Sequence, residues 1–507
     1  MTTQPLKILF VCAEVAPFAT IGGLAQVSCF LPKALKKLGA DVSIFMPRYG
    51  TIDEKKYRIK PYLTGLKVPT GETEGITELV CNVKVREGTK REPAVYFLEN
   101  MEYYEKRANV YGYSDDHIRF ALLSRAALEF VKTTDMHPSI IHCNDWHTGY
   151  LANYIHTDYK DDPALKAVST VFTIHNLRSQ GLFDFRFASP MDFDDGKASL
   201  ASFYDPKFRK QNPLKRGIMY SELVNTVSDT YSREIMTPEY GEGLNELLKE
   251  LRTKVFGVLN GLDYTDFDPT RDRFIKKNFS WRTTTAREIN KKDLQRSFNL
   301  TVDADIPLLA YSGRLDDQKG LDLLVEVLPT LLSEYHVQFV VIGTGTQKYR
   351  EFFTSLEKDF PGLVGTHLMR DFVLPRRVFA GADMLLLPSK FEPGGIVVIE
   401  GMRYGAVPVV RSTGRLADIV SDFDPEGNTG NGFLFHNYNK LSLFGAIIRA
   451  IQVYRNDRLW TDLVKRVMKE DVSWATAAKA YMDLYERAVE FRRDRQDPLA
   501  SVVKRIE

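Results

Sequence analysis

The chain has 507 residues, which exceeds the size of one hydrophobic core and predicts two domains of roughly 200 to 250 residues each. Apolar residues make up 44% and charged residues 26% of the sequence, which excludes a disordered, collagen-like or disulfide-scaffold protein. The 68 basic and 66 acidic side chains nearly cancel, so no strong positive field is available for binding nucleic acid through its phosphates.

The start of the chain and its cysteines predict a cytoplasmic protein with no membrane partner. Only five residues precede the first predicted strand, so we expect no signal or transit peptide. No apolar stretch approaches the length needed to span a bilayer. The cysteines show no CxxC spacing and are expected to be buried thiols in a reducing compartment; they are Cys12, Cys29, Cys81 and Cys143.

The first half of the chain alternates between strand and helix patterns. The apolar run from Leu6 to Ala13 predicts a strand, and apolar residues three or four positions apart from Leu24 to Leu38 predict a helix that Gly39 ends. Further strands are expected at 41–46, 140–142 and 171–174, with a helix at 118–131. This pattern favours a parallel sheet covered on both faces.

The second half repeats this alternation after a polar stretch from Asp263 to Asn299, where we place a linker between the domains. Strands are predicted at 308–312, 337–342, 384–387 and 407–410, with helices at 321–332 and 397–404. The fold class is therefore α/β, with two Rossmann-like doubly wound domains at 1–262 and 263–485. Two such domains facing a central cleft would bind ligands beyond the carboxyl ends of their strands.

A glycine turn, Thr20 to Leu24, follows the first predicted strand and precedes a helix. Gly22 and Gly23 let a backbone approach a ligand closely, and the amides at the helix start can bind a phosphate. The same turn is equally typical of an ordinary strand-to-helix connection, because it does not match GxGxxG.

Two segments of the second half carry charges suited to a diphosphate and to sugar hydroxyls. Arg314 and Lys319 lie between a strand and a helix, where two cations can stabilise the charge of a leaving diphosphate; a solvated loop is the alternative interpretation. Glu392 can accept hydrogen bonds from sugar hydroxyls, and the Gly394-Gly395 amides form a second anion site. Glu400 lies two helical turns further on, where a second contact to the donor competes with a solvated surface position.

Two histidine segments follow strands of the first half, Asn144 to Gly149 and His175 to Gly181. Their position at strand ends favours the cleft, and His175 is the better candidate for contact with substrate. No histidine pair shows HExxH spacing, so we expect neither a metal site nor a cofactor.

Taken together, these motifs resemble the bacterial and plant glycogen and starch synthase family, a retaining group with the GT-B architecture. The resemblance runs along nearly the whole chain and also includes these segments: Cys12 to Pro17, Phe172 to Leu177, Tyr240 to Leu244, Leu259 to Asp263, Gln318 to Asp322, Pro408 to Arg411, Leu416 to Asp418 and Val472 to Trp474. In this family the last helix returns to the first domain, which implies a helical tail at 486–507.

The resemblance implies transfer of glucose from ADP-glucose or UDP-glucose to the non-reducing end of an α-1,4-glucan such as glycogen. The implied catalytic residues are His175, Arg314, Lys319 and Glu392. The residues implied to bind donor or substrate are Thr20, Gly22, Gly23, Asp145, Asn176, Asn260, Gly394, Gly395 and Glu400.

Several positions depart from the family pattern. Thr20 replaces a lysine and Gln26 an acidic residue, whereas Arg178 and Arg415 stand where the family has uncharged residues. These changes leave two alternatives open: a retaining GT-B glycosyltransferase with a different sugar or acceptor, and a catalytically impaired glucan-binding relative.

Overall fold

A computed structural model of the protein describes residues 5–182 and 194–496, and these fold into two units. Within the described residues, unit 1 comprises 5–182, 194–227, 232–261 and 474–496, and unit 2 comprises 228–231 and 262–473. Each unit is built on its own sheet. The predicted fold class, α/β with two mainly parallel sheets, is confirmed.

In the part of unit 1 that the structure describes, the sheet has nine strands: β1 Lys7–Val11, β2 Asp41–Pro47, β3 Lys60–Pro69, β4 Glu78–Arg86, β5 Ala94–Glu99, β6 Ile140–Asn144, β7 Ser169–Ile174, β8 Leu223–Thr226 and β9 Val255–Gly257. Their order is β3-β4-β5-β2-β1-β6-β7-β8-β9. The central strands β1, β6 and β7 are almost entirely buried, which explains why they read as continuous apolar runs.

One edge of this sheet is antiparallel, whereas the sequence patterns indicated a parallel sheet. Strand β4 pairs antiparallel with both β3 and β5, and the other strand pairs of the sheet are parallel. Strand β3 buries only Leu66 and Val68 fully. Because a solvent-exposed edge strand needs few apolar residues, β3 gave no strong periodic signal.

Among the described residues up to Glu250 there are seven α-helices: α1 Gly23–Lys37, α2 Glu54–Tyr57, α3 Asp116–Thr133, α4 Gly149–His156, α5 Pro213–Tyr220, α6 Asp229–Glu234 and α7 Asn245–Glu250. Helix α1 buries Leu24, Val27, Leu31 and Leu35, four of the five residues whose spacing predicted it, whereas Leu38 follows the helix and is exposed. The four cysteines are free and buried, as expected. Within the described residues, no helix combines the length and apolarity that a membrane crossing requires.

The sheet of unit 2 has six parallel strands: β10 Leu308–Ser312, β11 Gln338–Ile342, β12 Val364–His367, β13 Met384–Leu387, β14 Val407–Arg411 and β15 Phe433–Phe435. The order β12-β11-β10-β13-β14-β15 is the doubly wound order of a Rossmann domain. Its helices are α8 Arg287–Ser297, α9 Leu321–Glu334, α10 Gln347–Asp359, α11 Leu374–Gly381, α12 Ile396–Arg403, α13 Gly414–Ile419, α14 Lys440–Tyr454 and α15 Asp457–Lys469.

The sequence analysis placed a linker between the domains at Asp263 to Asn299, but in the structure this stretch is a packed part of unit 2. Phe267, Ile275 and Phe279 are buried in the core of unit 2, and helix α8 lies within the stretch. These apolar residues are irregularly spaced among many charges, so they produce no periodic pattern. The polar composition was therefore misread as a connection.

The last helix, α16 Trp474–Gln496, packs within unit 1. The Tyr485 hydroxyl lies 2.7 Å from His142 Nδ1 on β6, and Arg492 Nη1 donates to Glu222 Oε1 at 3.0 Å. Residues 474–485 belong to unit 1, whereas the predicted boundary placed them in the second domain. Residues 497–507 of the predicted tail lie outside the described residues.

Candidate active site

The two groups of predicted site residues lie at equivalent places in their own sheets. The winding of the chain reverses between β1 and β6 in unit 1 and between β10 and β13 in unit 2. Loops that leave neighbouring strands at such a point diverge and form a crevice at the carboxyl edge of the sheet. The predicted residues in these loops are Thr20, Gly22, Gly23 and Asp145 in unit 1, and Arg314, Lys319, Glu392, Gly394 and Gly395 in unit 2.

The glycine turn after β1 is held by a carboxylate of the chain itself. Glu14, which is 4% exposed, accepts hydrogen bonds at Oε2 from the amides of Ile21 and Gly22, at 2.7 and 2.9 Å. Its Oε1 accepts from the Tyr111 hydroxyl at 2.6 Å. These two amides are therefore already used, and Gly23 begins helix α1. Hydrogen bonds within the chain therefore hold the turn, and both Gly22 and Gly23 are exposed.

His175, which follows β7, is held as a neutral imidazole. The Asn144 amide nitrogen donates to Val11 O and His142 O, so its Oδ1 accepts from His175 Nε2 at 2.9 Å. Burial lowers the pKa of His175 to about 3. The proton thus resides on Nε2, and Nδ1 is the lone-pair nitrogen.

Asp145 supports the same segment from the end of β6. Its Oδ1 accepts from the His175 amide at 2.8 Å, and the Asn176 amide also contributes. Burial raises the pKa of Asp145 to about 7. Its φ of 53° lies in the left-handed region, a strained conformation for a residue other than glycine. Asp145 thus positions His175.

Asn260 lies just before the end of unit 1. Its side chain is 3% exposed, and its Oδ1 has no hydrogen-bond partner among the described residues. A buried acceptor without a partner is costly, and a ligand that donates a hydrogen bond to it would remove that cost. This geometry suits the ligand contact that the resemblance implies for Asn260.

In unit 2, Lys319 and Glu392 form an ion pair across the β10 and β13 loops. Lys319 Nζ lies 2.6 Å from Glu392 Oε2, which also accepts from Ser389 Oγ at 3.0 Å. The two side chains are only 16% and 9% exposed. The sequence had assigned these residues to different parts of a donor, and the structure brings them together.

Close contact between the two loops depends on Gly320. This residue has a φ of 70°, and a Cβ there would lie 1.9 Å from the Pro388 carbonyl oxygen.

Arg314 lies on the outer side of the β10 loop, with a side chain that is 62% exposed. It donates to Gln318 Oε1 and pairs with Asp316 at 3.0 Å. The two predicted phosphate cations therefore differ in setting, one buried and one exposed.

Helix α12 begins directly after the paired glycines, and Gly395 precedes it with a φ of 49°. Glu400 on this helix is half-buried and makes no hydrogen bond or ion pair among the described residues. Burial raises the pKa of Glu400 to about 8, which the charge of Arg376 partly offsets. Glu400 is therefore not a fully solvated surface residue.

The positions that depart from the family pattern lie in different settings. Arg415 is 1% exposed, its amide donates to the Glu392 carbonyl oxygen at 2.9 Å, and its side chain packs against Gly395. Arg178 is exposed, and Thr20 is half-buried. Of the two additional arginines, Arg415 is thus the one beside the predicted donor residues of unit 2.

Sequence reasoning missed three residues that shape these groups: Glu14, Asn144 and Ser389. Asn144 and Ser389 stand at strand ends, which was the available signal. Glu14 also follows a strand, β1, but its contact with Tyr111, 97 positions away, could not be read from the sequence. Within the part of the chain that the structure describes, no group of three or more His, Cys, Asp or Glu side chains could hold a metal ion.

Comparison with protein families matches residues 7–250 to the starch synthase catalytic domain and residues 294–461 to the glycosyl transferases group 1. The chain is 37% identical to a glycogen synthase of Desulforudis audaxviator, over 97% of this chain and 98% of the relative. It is 39% identical to a glycogen synthase of Moorella thermoacetica, with the same two coverages.

Solved structures with a similar fold include a starch synthase and a sucrose-phosphate synthase. The catalytic domain of starch synthase IV from Arabidopsis thaliana, bound to ADP and acarbose, has a TM-score of 0.83 and 30% identity, covering 96% of this chain and all of the other. Sucrose-phosphate synthase from Thermosynechococcus elongatus has a TM-score of 0.58 at 17% identity, covering 96% of this chain and 99% of the other, and shares the fold.

Proposed function

The chain belongs to the glycogen and starch synthase family, and on that premise we propose that it transfers glucose from ADP-glucose to the non-reducing end of an α-1,4-glucan with retention. The observation that carries the proposal is the buried Lys319–Glu392 pair, which places a cation and a sugar-binding carboxylate at the switch point of the unit 2 sheet. We favour ADP-glucose over UDP-glucose as the donor because the similar starch synthase IV structure is bound to ADP.

Arg314 and Lys319 are the residues we assign to the donor diphosphate. When the bond between glucose C1 and the phosphate oxygen breaks, negative charge grows on the leaving diphosphate. Two positioned cations stabilise that charge, and a cation in a partly buried setting acts more strongly than one in water. Lys319 supplies the buried cation and Arg314, on its exposed loop, supplies the second.

Glu392 is assigned to the hydroxyls of the donor glucose. One of its oxygens, Oε2, already accepts from Lys319 and Ser389, so the charge of the carboxylate is held in a fixed orientation. Its other oxygen can accept from a sugar hydroxyl. Lys319 thereby couples the two ends of the donor: it neutralises part of the Glu392 charge and faces the diphosphate.

We assign His175 to the glucose near its reacting carbon. A neutral imidazole that donates through Nε2 to Asn144 presents Nδ1 as an acceptor for a sugar hydroxyl. Asp145 holds the backbone of the same residue. The pair Asn144 and Asp145 therefore orients the ring before substrate binds, which reduces the cost of ordering it in the transition state.

The test is to incubate the protein with glycogen and either ADP-glucose or UDP-glucose and to measure release of the nucleoside diphosphate. We expect faster release with ADP-glucose and no release from Glu392→Gln, whose amide can accept at only one end. Faster release with UDP-glucose would refute the ADP assignment. Glucan binding without release from either donor would instead favour the impaired relative that Thr20 and Gln26 suggested.

A further inference from the structure

Unit 2 contains a cavity of about 580 Å³ at the edge of its sheet opposite to the Lys319–Glu392 pair. Its lining includes Pro307, Val337 and Asp383, which precede β10, β11 and β13. It therefore lies at the amino ends of these parallel strands, whereas the donor residues follow their carboxyl ends. This volume is within the usual range of small-molecule sites.

A buried arginine lines this cavity. Arg287 is 7% exposed; its Nε donates to Tyr404 O at 3.0 Å, and its Nη2 donates to Phe379 O and Ala382 O. All three acceptors are carbonyls, and no carboxylate forms an ion pair with Arg287 among the described residues. Nη1 has no hydrogen-bond partner in the same part of the chain. The guanidinium thus keeps one nitrogen and its full positive charge for a further acceptor.

The neighbouring lysine does not offer a second free cation. Lys291 Nζ donates to Asp383 Oδ2 at 2.6 Å, to Ala304 O at 2.7 Å and to the Tyr454 hydroxyl at 2.8 Å. An ammonium has three donors, so these bonds use all of its capacity. Its charge is cancelled by Asp383. The inner part of the cavity therefore has one uncompensated positive charge, that of Arg287.

The outer part of the cavity is different in character. Three exposed acidic side chains line it, namely Glu288, Asp305 and Asp457, together with the exposed Arg455. Glu288 pairs with Lys292 at 2.5 Å, so Asp305 and Asp457 are the carboxylates available to a ligand. Carboxylates accept hydrogen bonds from hydroxyls and repel a bare anion. The rings of Tyr454 and Trp460, 5.1 Å apart edge to face, also line the cavity and offer apolar surface.

We propose that this cavity is a second ligand site, which binds a small polyhydroxylated anion with its anionic group on Arg287 and its hydroxyls on the outer carboxylates. The matching ligands are sugar phosphates and sugar acids. Both carry one anionic group and several hydroxyl donors, and their ring faces can pack on Tyr454 and Trp460. Neither a neutral sugar nor inorganic phosphate satisfies both parts of the cavity.

The test is isothermal titration calorimetry of the full chain with four probes: glucose 6-phosphate, glucuronate, glucose and inorganic phosphate. The first three share one ring and differ in the group at its sixth carbon. We expect saturable binding of glucose 6-phosphate or glucuronate, at least tenfold tighter than that of glucose or phosphate. The anion that binds more tightly shows whether the site prefers a sugar phosphate or a sugar acid. Equal binding of glucose, or of phosphate alone, would overturn the proposal.

Variants of cavity residues test whether the probe binds in this cavity. Thr461→Trp fills the cavity and Arg287→Gln removes its cation. Each variant should therefore weaken binding of the preferred probe at least tenfold. Thr354→Trp is the matched control, since this exposed threonine lies on α10 away from the cavity lining. Lys319→Ala should leave the affinity unchanged. Loss of binding in Lys319→Ala but not in Thr461→Trp, or no saturable binding of either anion up to roughly 10 mM, would overturn the proposal.

Because Arg287 also binds the carbonyls at the end of α11, Arg287→Gln can lower the stability of unit 2. Thr461→Trp removes no such bond and keeps the test decisive if that variant does not fold. Circular dichroism on every variant establishes that the binding data come from folded protein. The site is independent of the donor assignment, so failure of one does not affect the other.

Discussion

Replacing Glu14 by Gln should destabilise the glycine turn of unit 1 while keeping the shape of the side chain. Glu14 accepts three hydrogen bonds, from the Ile21 and Gly22 amides and from the Tyr111 hydroxyl. A bond to a charged acceptor contributes about 1.5–3 kcal/mol, and a neutral bond about 0.5–1.5 kcal/mol. Removing the charge from three bonds should therefore lower the free energy of unfolding by about 3 kcal/mol.

Thermal unfolding and donor kinetics together measure this effect. A loss of about 3 kcal/mol lowers the melting temperature of a large domain by several degrees. If the turn approaches the donor phosphates, Glu14→Gln should also raise the apparent Michaelis constant for ADP-glucose. Tyr111→Phe removes one of the three bonds and should produce a smaller change in both quantities.

Glu246→Gln is the matched control, because that side chain is 77% exposed and also lies in unit 1. Its melting temperature and its Michaelis constant for ADP-glucose should equal those of the wild type, since exposed charges contribute little to stability. The reasoning would be refuted by a Glu14→Gln variant whose melting temperature and Michaelis constant equal those of Glu246→Gln.

Three further predictions concern charge. Lys319→Ala and Arg314→Ala should each reduce turnover about 100-fold or more with glucan binding unchanged, because a positioned cation contributes about 3–4 kcal/mol to the transition state. We expect Arg415 to have taken the role of the family lysine, so donor kinetics should show loss of transfer in Arg415→Ala and no gain in Thr20→Lys; the reverse pattern contradicts this. Burial alone would raise the pKa of Glu222, but a hydrogen bond from His156 and the charges of His156 and Arg492 hold it at about 2, against an ordinary 4.5. Its stabilisation, about 3 kcal/mol, is present above pH 4.5 and lost as the pH falls toward 2, which denaturant unfolding of wild type and Glu222→Gln would measure.

The sequence predicted the elements that place the site because these elements are buried on both faces. Strands such as Met384–Leu387 give continuous apolar runs, and the chemistry-bearing residues follow them directly. Doubly wound topology then brings residues at strand ends to one edge of a sheet. This is why His175, Lys319 and Glu392 could be selected from local pattern before any contact was known.

Contacts between distant segments could not be predicted in this way. The ion pair between Lys319 and Glu392 joins positions 73 apart, and nothing in either loop specifies that these two side chains meet. The packed stretch from Asp263 to Asn299 was misread for the same reason. Its buried residues fit a surface that the rest of unit 2 provides, so no local period reveals them.

The return of α16 to unit 1 constrains the order in which the chain can fold during synthesis. About 210 residues of unit 2 separate Gly261 from Trp474, so a ribosome adding 5–20 residues per second makes them in roughly 10–40 s. Throughout that interval the surfaces of His142, Asn225 and Glu222 that α16 later covers have no helix to bind. Unit 2, which is nearly continuous in sequence, can therefore complete its fold while the unit that emerged first still awaits its last helix.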